Sequence, residues 1–206
     1  MGFYQSHILP RLIQAAMRNR ELLPYRERVV SRAEGRVLEV GIGSGMNGRF
    51  YSDRVTEVVG LDAHPKLLTM TAREDFRVPL RLICATADTL PLDRRSFDTI
   101  VVTWTLCSIS KVQSALREMH RVLKPSGRLL FVEHGLAADE RVRWWQQRLT
   151  PAWKRLAGGC HLGRPISTLI ENAGFAIAPL ETGYMRGPKP LTFMYEGCAR
   201  PVCIEA

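Results

Sequence analysis

The stretch VLEVGIGSGMNGRF, Val37 to Phe50, passes from a mostly apolar run into three glycines, Gly41, Gly43 and Gly45, spaced two residues apart. Its first part reads as a strand and its end as the opening of a helix. The glycines therefore fall in the turn where a parallel sheet presents its ligand crevice. Without side chains, the backbone there can approach a ligand closely and take positive φ. The spacing is G-x-G-x-G, whereas a dinucleotide fingerprint wants a third glycine or alanine where Met46 stands. A phosphate loop wants Gly-Lys-Ser/Thr, and none follows. Asp62 closes the next strand, 21 positions beyond Gly41, the distance at which an acid reaches the two hydroxyls of a ribose. An adenosine ligand without phosphates satisfies both observations.

Outward from this turn, strand and helix signals alternate. Strands are expected over Arg36–Val40, Glu57–Leu61, Leu80–Cys84, Phe97–Trp104 and Arg128–Glu133. Helices are expected from Met46 to Tyr51, Pro65 to Arg73 and Lys111 to Leu123, the last stopped by the turn Pro125-Ser126-Gly127. This βαβ rhythm predicts a parallel sheet with helices on both faces. Upstream, Ile8, Leu12, Ala15 and Ala16 predict an amphipathic helix over Phe3–Asn19, with Pro10 near its start. Downstream the rhythm changes to a long helix from Asp139 to Leu156, a Gly-rich loop and a short helix from Pro165 to Ala173. Two late strands follow, Ile177–Met185 and Leu191–Gly197, and a hairpin closes the sheet. No repeat, low-complexity tract or long linker divides the chain.

The 206 residues, 46% of them hydrophobic, suffice for one core without staples. The longest apolar stretch, Thr99 to Ile109, is too short and too hydroxyl-rich to span a membrane, and no secretory pattern opens the chain. Cys84, Cys107, Cys160, Cys198 and Cys203 are scattered and odd in number, which points to a reducing, cytoplasmic setting and shows no zinc-site spacing. The net charge of +9 includes an Arg-rich N-terminal arm, Arg11 to Arg36, suited to an anionic lipid surface, as in peripheral contact at the inner face of a membrane, or to nucleic acid.

LEVGIGSG, VVGLDAHP, ATADTLPLDRRSFDTIVV and LREMHRVLKPSGRLLFVEH together resemble the class I S-adenosylmethionine-dependent methyltransferases over about residues 36 to 199. The resemblance implies a Rossmann-like α/β sheet of seven strands, mostly parallel with the last antiparallel, and helices on both faces. It implies one methyltransferase domain over 1–206: a helical lid or arm (1–34), a cofactor-binding core (35–135), and acceptor-side helices with closing strands (136–206). S-adenosylmethionine is the implied cofactor and S-adenosylhomocysteine its product. Glu39 and the Gly41, Gly43, Gly45 loop would hold the methionine part, Asp62 the ribose, and Thr86, Ala87 and Asp88 the adenine, with Ala63 and Thr103 as further cofactor-binding residues. The family usually has Asp where this chain has Thr86, which shifts the adenine contact to the Ala87 backbone or the Asp88 side chain.

The acceptor reading comes from the remaining motifs. Enzymes of this class that methylate base amines carry an Asn/Asp-Pro-Pro-aromatic motif after the fourth strand; here Thr103-Trp104-Thr105-Leu106-Cys107 stands instead, so no nucleic-acid partner is expected. TWTLCSI, VEHG and WWQQRLTPAWKRLAGGCHLGRP resemble a subgroup that includes animal membrane-associated alkyl-thiol S-methyltransferases, whose hydrophobic N-terminal anchor is not expected here. The expected reaction is S-methylation of a small thiol or related chalcogen compound. The alternatives are a phospholipid (phosphatidylethanolamine) or quinone-type methyltransferase at a membrane surface, and a noncatalytic cofactor-binding module. A thiol is already partly ionised near neutral pH and needs little help from a base. The candidate catalytic residues are His134 at a strand's carboxyl end, His161 in the Gly-rich loop, and Cys107 lining the pocket; His120 reads as surface. No metal site is expected, and the oligomeric state is left open. Trp144 and Trp145 are adjacent, so one is expected to point at the cleft or at a membrane surface.

Overall fold

The computed structural model describes residues 8–202. Seven strands form one sheet in the order β3-β2-β1-β4-β5-β7-β6. They are β1 (Gly35–Val40), β2 (Val55–Asp62), β3 (Leu80–Cys84), β4 (Phe97–Thr103), β5 (Leu123–His134), β6 (Phe175–Tyr184) and β7 (Phe193–Pro201). The first five pair in parallel, and β7 runs antiparallel to both β5 and β6. The order reverses beside β1, whose neighbours are β2 on one side and β4 on the other. Parallel sheets open a crevice at the carboxyl ends of strands flanking such a switch.

The near-continuous apolar runs of β1 and β4 follow from burial on both sheet faces. On one face Leu38, Val40, Ile100, Val102 and Phe131 pack with Leu116 and Met119 of α4 (Val112–Val122) and Ile166 and Ile170 of α6 (Ile166–Glu171). On the other, Val37, Val58, Val101, Leu130 and Val132 meet Val29 and Val30 of α2 (Leu23–Val30). Each fully buried aliphatic or phenyl side chain contributes about 1.5–3 kcal/mol. The remaining helices are α1 (Leu9–Met17), α3 (Pro65–Thr71), α5 (Glu140–Leu156) and the one-turn α7 (Lys189–Thr192). No helix among the described residues is long and apolar enough to cross a membrane.

Several expectations need correction. The helix expected from Met46 to Tyr51 is only a 3₁₀ turn at Gly48–Phe50. Asn47 turns its amide inward to three buried partners, and a Cβ at Gly48 would fall 2.9 Å from the Phe76 ring. α2 was not foreseen, because its buried Arg26 interrupts the apolar stripe. The turn at Pro125-Ser126-Gly127 lies inside β5: the register passes from Phe97↔Leu123 to Thr99↔Arg128, and the surplus residues bulge out. His120 is half-buried, its ring edge-on to Phe175 at 5.1 Å, and is not a surface residue. The N-terminal helix begins at Leu9; the expected start at Phe3 lies outside the described residues, as does Cys203.

Candidate active site

The carboxyl ends of β1, β2, β4 and β5 surround a cavity of about 460 Å³. Gly41, Gly43, Asp62, Ala63, Thr86, Ala87, Asp88, Thr103, Cys107 and His134 all line it. Part of its wall comes from outside the sheet: Ile13, Ala16 and Met17 of α1, Arg26 of α2, and Trp153 and Cys160 at and after the end of α5.

The glycines divide the work of the loop. Gly43, at φ +60°, would place a Cβ no nearer to another group than 3.9 Å, from Gly41 O, so its bare backbone is available to a ligand. Gly41 has φ +73°, and a Cβ there would sit 2.2 Å from Thr105 Oγ1; it permits the close approach of the turn after β4. Gly45 is not on the cavity wall. Its hydrogen makes room for Thr71 and Phe76, so its place is in packing rather than in ligand contact.

Asp62 is nearly buried, and both carboxylate oxygens are held by backbone: Oδ2 accepts from Gly43 N at 3.0 Å, Oδ1 from His64 N at 2.8 Å. This fastens the glycine loop to the end of β2 and leaves the carboxylate facing the cavity. Burial raises its pKa, and the backbone amides oppose that rise. Asp88, whose side chain meets Lys111 Nζ at 3.2 Å, is held below the usual carboxylate range by Thr86 and Lys111.

Glu39 departs from the expectation that it touches the ligand. It is fully buried and absent from the cavity wall; Oε1 accepts from Asn47 Nδ2 at 2.8 Å and Oε2 from Tyr51 Oη at 2.7 Å. Asn47 also donates to Thr103 Oγ1 and accepts from Arg26 Nη1 at 2.5 Å. Burial pushes the Glu39 carboxyl up to about 7 and pulls Arg26 down to about 10, so Arg26 keeps its proton near neutrality. The Arg26 guanidinium lies over the Trp104 ring, 4.8 Å from its centroid. Trp104 itself has φ +49°, a strained backbone for a large residue, at the point where β4 delivers the chain to the cavity. Asn47 and Tyr51 thus brace the loop from behind, with Arg26 reaching to the cavity wall. Only Asn47 gave a local hint, as a polar residue in an apolar setting.

At the far end of the cavity, Glu133 Oε1 accepts from Thr105 N at 2.6 Å and Leu106 N at 2.8 Å, and Arg164 donates to Leu106 O. These contacts fix the turn that carries Cys107. His134 Nε2 lies 3.1 Å from Cys160 Sγ, while its Nδ1 is buried with no partner. Contact with the Cys107 thiol, together with burial, holds the Cys160 thiol well above its ordinary range. The ligand atoms of Cys107, His134 and Cys160 all fall within 4.8 Å of one another. This corrects the reading that the histidines lack ligand-type partners, and it brings in Cys160, which was no candidate. His161 stays off the cavity wall; its backbone amide donates to Cys107 O at 2.9 Å. Trp144 and Trp145 are both exposed, their rings edge-to-face at 4.8 Å, and neither enters the cleft.

Known proteins are similar to this chain in sequence and in fold. A methyltransferase-domain family model matches residues 38–131, the span from β1 to β5. Thiol S-methyltransferase TMT1B of Homo sapiens is 35% identical over 175 residues, 80% of this chain and 69% of the human protein. The chain belongs to the class I S-adenosylmethionine-dependent methyltransferases. The TMT1B of Rattus norvegicus is 36% identical over 151 residues, 70% of this chain, and the match spans 62% of the rat protein. The fold extends further: a methyltransferase from Haloferax volcanii, solved with the Trm112 methyltransferase activator, superposes with a TM-score of 0.72 at 14% identity, covering 97% and 96% of the two chains. S-adenosylmethionine is the cofactor of this methyltransferase, and the cavity at Gly43, with the Asp62 carboxylate beside it, fits it.

Proposed function

We propose that this methyltransferase transfers the methyl group of S-adenosylmethionine to the sulfur of a small thiol or a related chalcogen compound. The observation that carries this reading is the distribution of ionisable groups on the cavity wall. Its carboxylates, Asp62 and Asp88, belong to the glycine-loop end, whereas the far end offers thiols, an imidazole, the hydroxyls of Thr105, Ser108 and Ser110 and apolar surface, but no carboxylate on the wall. An ammonium acceptor would need a competent base at that end, while a thiol is already partly ionised near neutrality. When bound, the cofactor supplies an electrophilic methyl on its sulfonium sulfur.

The protein's own contribution is alignment and exclusion of water. In this reading Asp62 and the Gly41–Gly43 backbone hold the donor, and Thr86 to Asp88 border its adenine. Glu39 acts indirectly, through Asn47 and Tyr51, by keeping the loop rigid. Trp104, Cys107 and Trp153 shape the acceptor end, and the indole Nε1 of Trp153 is buried without a partner. α1 serves as a lid, since its Ile13, Ala16 and Met17 close one side of the cavity and Leu9 leans on Gly158. Release of S-adenosylhomocysteine, measured with small thiols and selenols beside primary amines, tests the reading. Turnover on the chalcogen compounds is expected, and turnover confined to amines overturns it.

A second reading, methylation of a lipid or quinone head group at a membrane, rests on the surface of α5. Trp144, Trp145, Leu149 and Leu156 are exposed there, with Ile8 and Leu12 exposed at the N-terminal arm. Turnover only in the presence of phosphatidylethanolamine vesicles or a quinol would favour it.

A further inference from the structure

The acceptor end of the cavity holds a group of side chains that the cofactor does not use. Cys107 comes from the turn after β4, His134 from the end of β5 and Cys160 from the loop after α5. Three separate elements thus deliver two sulfurs and one imidazole nitrogen to a common point, with every donor atom within 4.8 Å of the others. Tetrahedral zinc has bonds of about 2.3 Å to sulfur and about 2.0–2.1 Å to nitrogen, so ligand atoms on one ion lie just under 4 Å apart. The observed grouping needs only small side-chain movements to meet that geometry. The group also opens onto a cavity: all three residues line the space that the glycine loop lines. Three protein ligands beside an open position is the pattern of a catalytic zinc, in contrast to the closed four-ligand structural site.

We propose that Cys107, His134 and Cys160 bind one zinc ion whose open fourth position takes the sulfur of the acceptor. This inference rests on the thiol reading for its acceptor and on geometry alone for its metal. Zinc is thiophilic and redox-inert, and a coordinated thiol is deprotonated outright. The acceptor RSH would bind as RS⁻ and release its proton to solvent. A sulfur lone pair of RS⁻ then forms the new S–CH₃ bond. The bond from the methyl carbon to the sulfonium sulfur breaks, and its electron pair stays on that sulfur, giving neutral S-adenosylhomocysteine. The product, a neutral thioether, is a weaker ligand than a thiolate and leaves the metal. Arg164 sits where the charge requires it. Two cysteine thiolates neutralise Zn²⁺, the acceptor thiolate adds one negative charge, and the Arg164 guanidinium donates to the carbonyl of Leu106, directly before Cys107.

The test uses the full chain, stripped by a chelator under reducing conditions and titrated with Co²⁺ without acceptor. One equivalent should bind, with a near-ultraviolet thiolate-to-cobalt charge-transfer band and the intense visible bands of four-coordinate cobalt, all lost on adding Zn²⁺. Cys107→Ser and Cys160→Ser should each cut the charge-transfer intensity by about half, whereas Cys84→Ser, at an exposed cysteine away from the cluster, should leave it whole. Binding of S-adenosylmethionine by each variant reports its folding, and the wild-type titration decides the matter if both variants fail to fold. Adding a small alkyl thiol should shift the visible bands, and its methyl thioether should not. No stoichiometric cobalt, or charge transfer untouched by both serine variants, overturns the metal site. Cobalt bound with no thiol-induced shift overturns its role in acceptor binding. Full thiol turnover by metal-free protein overturns the metal's part in the reaction and leaves the thiol reading standing, so the two failures are distinguishable.

Discussion

Two carboxylates, Asp62 and Glu39, stand at the ends of adjacent strands and do different things. Asp62 faces the cavity, and Asp62→Ala should weaken S-adenosylmethionine binding by one or two charge-assisted hydrogen bonds, about 1.5–3 kcal/mol each. Unchanged affinity by calorimetry would remove it from the site. Glu39 is turned away, and its mark is on stability. Its pKa is pushed up to about 7 by burial, above the ordinary 4.5. A raised folded-state pKa means that the contribution is complete below the unfolded value and is lost as pH rises through the folded one. The wild type should therefore lose about 3 kcal/mol relative to Glu39→Gln on going from pH about 4.5 to pH about 7. Urea unfolding across that window checks this, and a pH-independent difference contradicts it. At the other end of the cavity, His134→Ala should lower kcat/KM for a thiol by up to roughly 10² through lost positioning of the acceptor while cofactor affinity holds. Equal losses in both would make His134 structural. Asp62 was legible in the sequence because its role depends on one distance along the chain, from Gly41. Glu39 was misread because Arg26 and Tyr51, which share its network, come from elements with no sequence link to it. Cys107, His134 and Cys160 were invisible as a group, since 27 and 26 residues separate them and only the crossing of three elements joins them.

At the scale of elements, the first four strands were legible to within a residue or two from their apolar runs, whereas β5 starts five residues before the expected Arg128 and β7 runs four residues past the expected Gly197. Leu80–Cys84 is found as expected, and β1, β2 and β4 differ by a residue or two. Helices were less legible where burial overrides amphipathicity. α4 shows its stripe through Ala115, Leu116, Met119 and Val122, while α2 hides it behind buried Arg26. The helix expected after the glycine loop fails because Asn47 and Gly48 serve the loop and the Phe76 ring, not a helical face. α1 was expected as a helical lid or arm; its packing partner was not legible, since nothing in Leu9 or Ile13 names Gly158 as a neighbour. If α1 is a lid, amide exchange over residues 9–17 should slow by at least about tenfold on adding S-adenosylhomocysteine, through the contacts of Ile13, Ala16 and Met17. Exchange that is indifferent to the ligand would reduce α1 to a fixed wall.

For the whole molecule, the topology places donor and acceptor ends in one continuous space at the switch point beside β1, and the outer face of α5 lies away from it. Surface and chemistry should therefore separate. Trp145→Ser should leave turnover on a soluble thiol within about twofold of wild type, while lowering any binding to anionic vesicles seen by co-sedimentation. A parallel loss of both would tie the exposed tryptophans to the reaction. The fold could be read from the glycine loop, Asp62 and the strand rhythm, because those features repeat a local rule. The acceptor end was legible only in part, through Cys107 and His134, because it is assembled from β4, β5, α1 and α5 at once. The most direct measurement offers the purified protein S-adenosylmethionine carrying a deuterated methyl group, together with one small alkyl thiol, and identifies the product by mass spectrometry. A thioether bearing the intact labelled methyl on sulfur is the expected result. Label found only on a lipid, a quinol or an amine, or no labelled product alongside tight cofactor binding, would contradict thiol methylation.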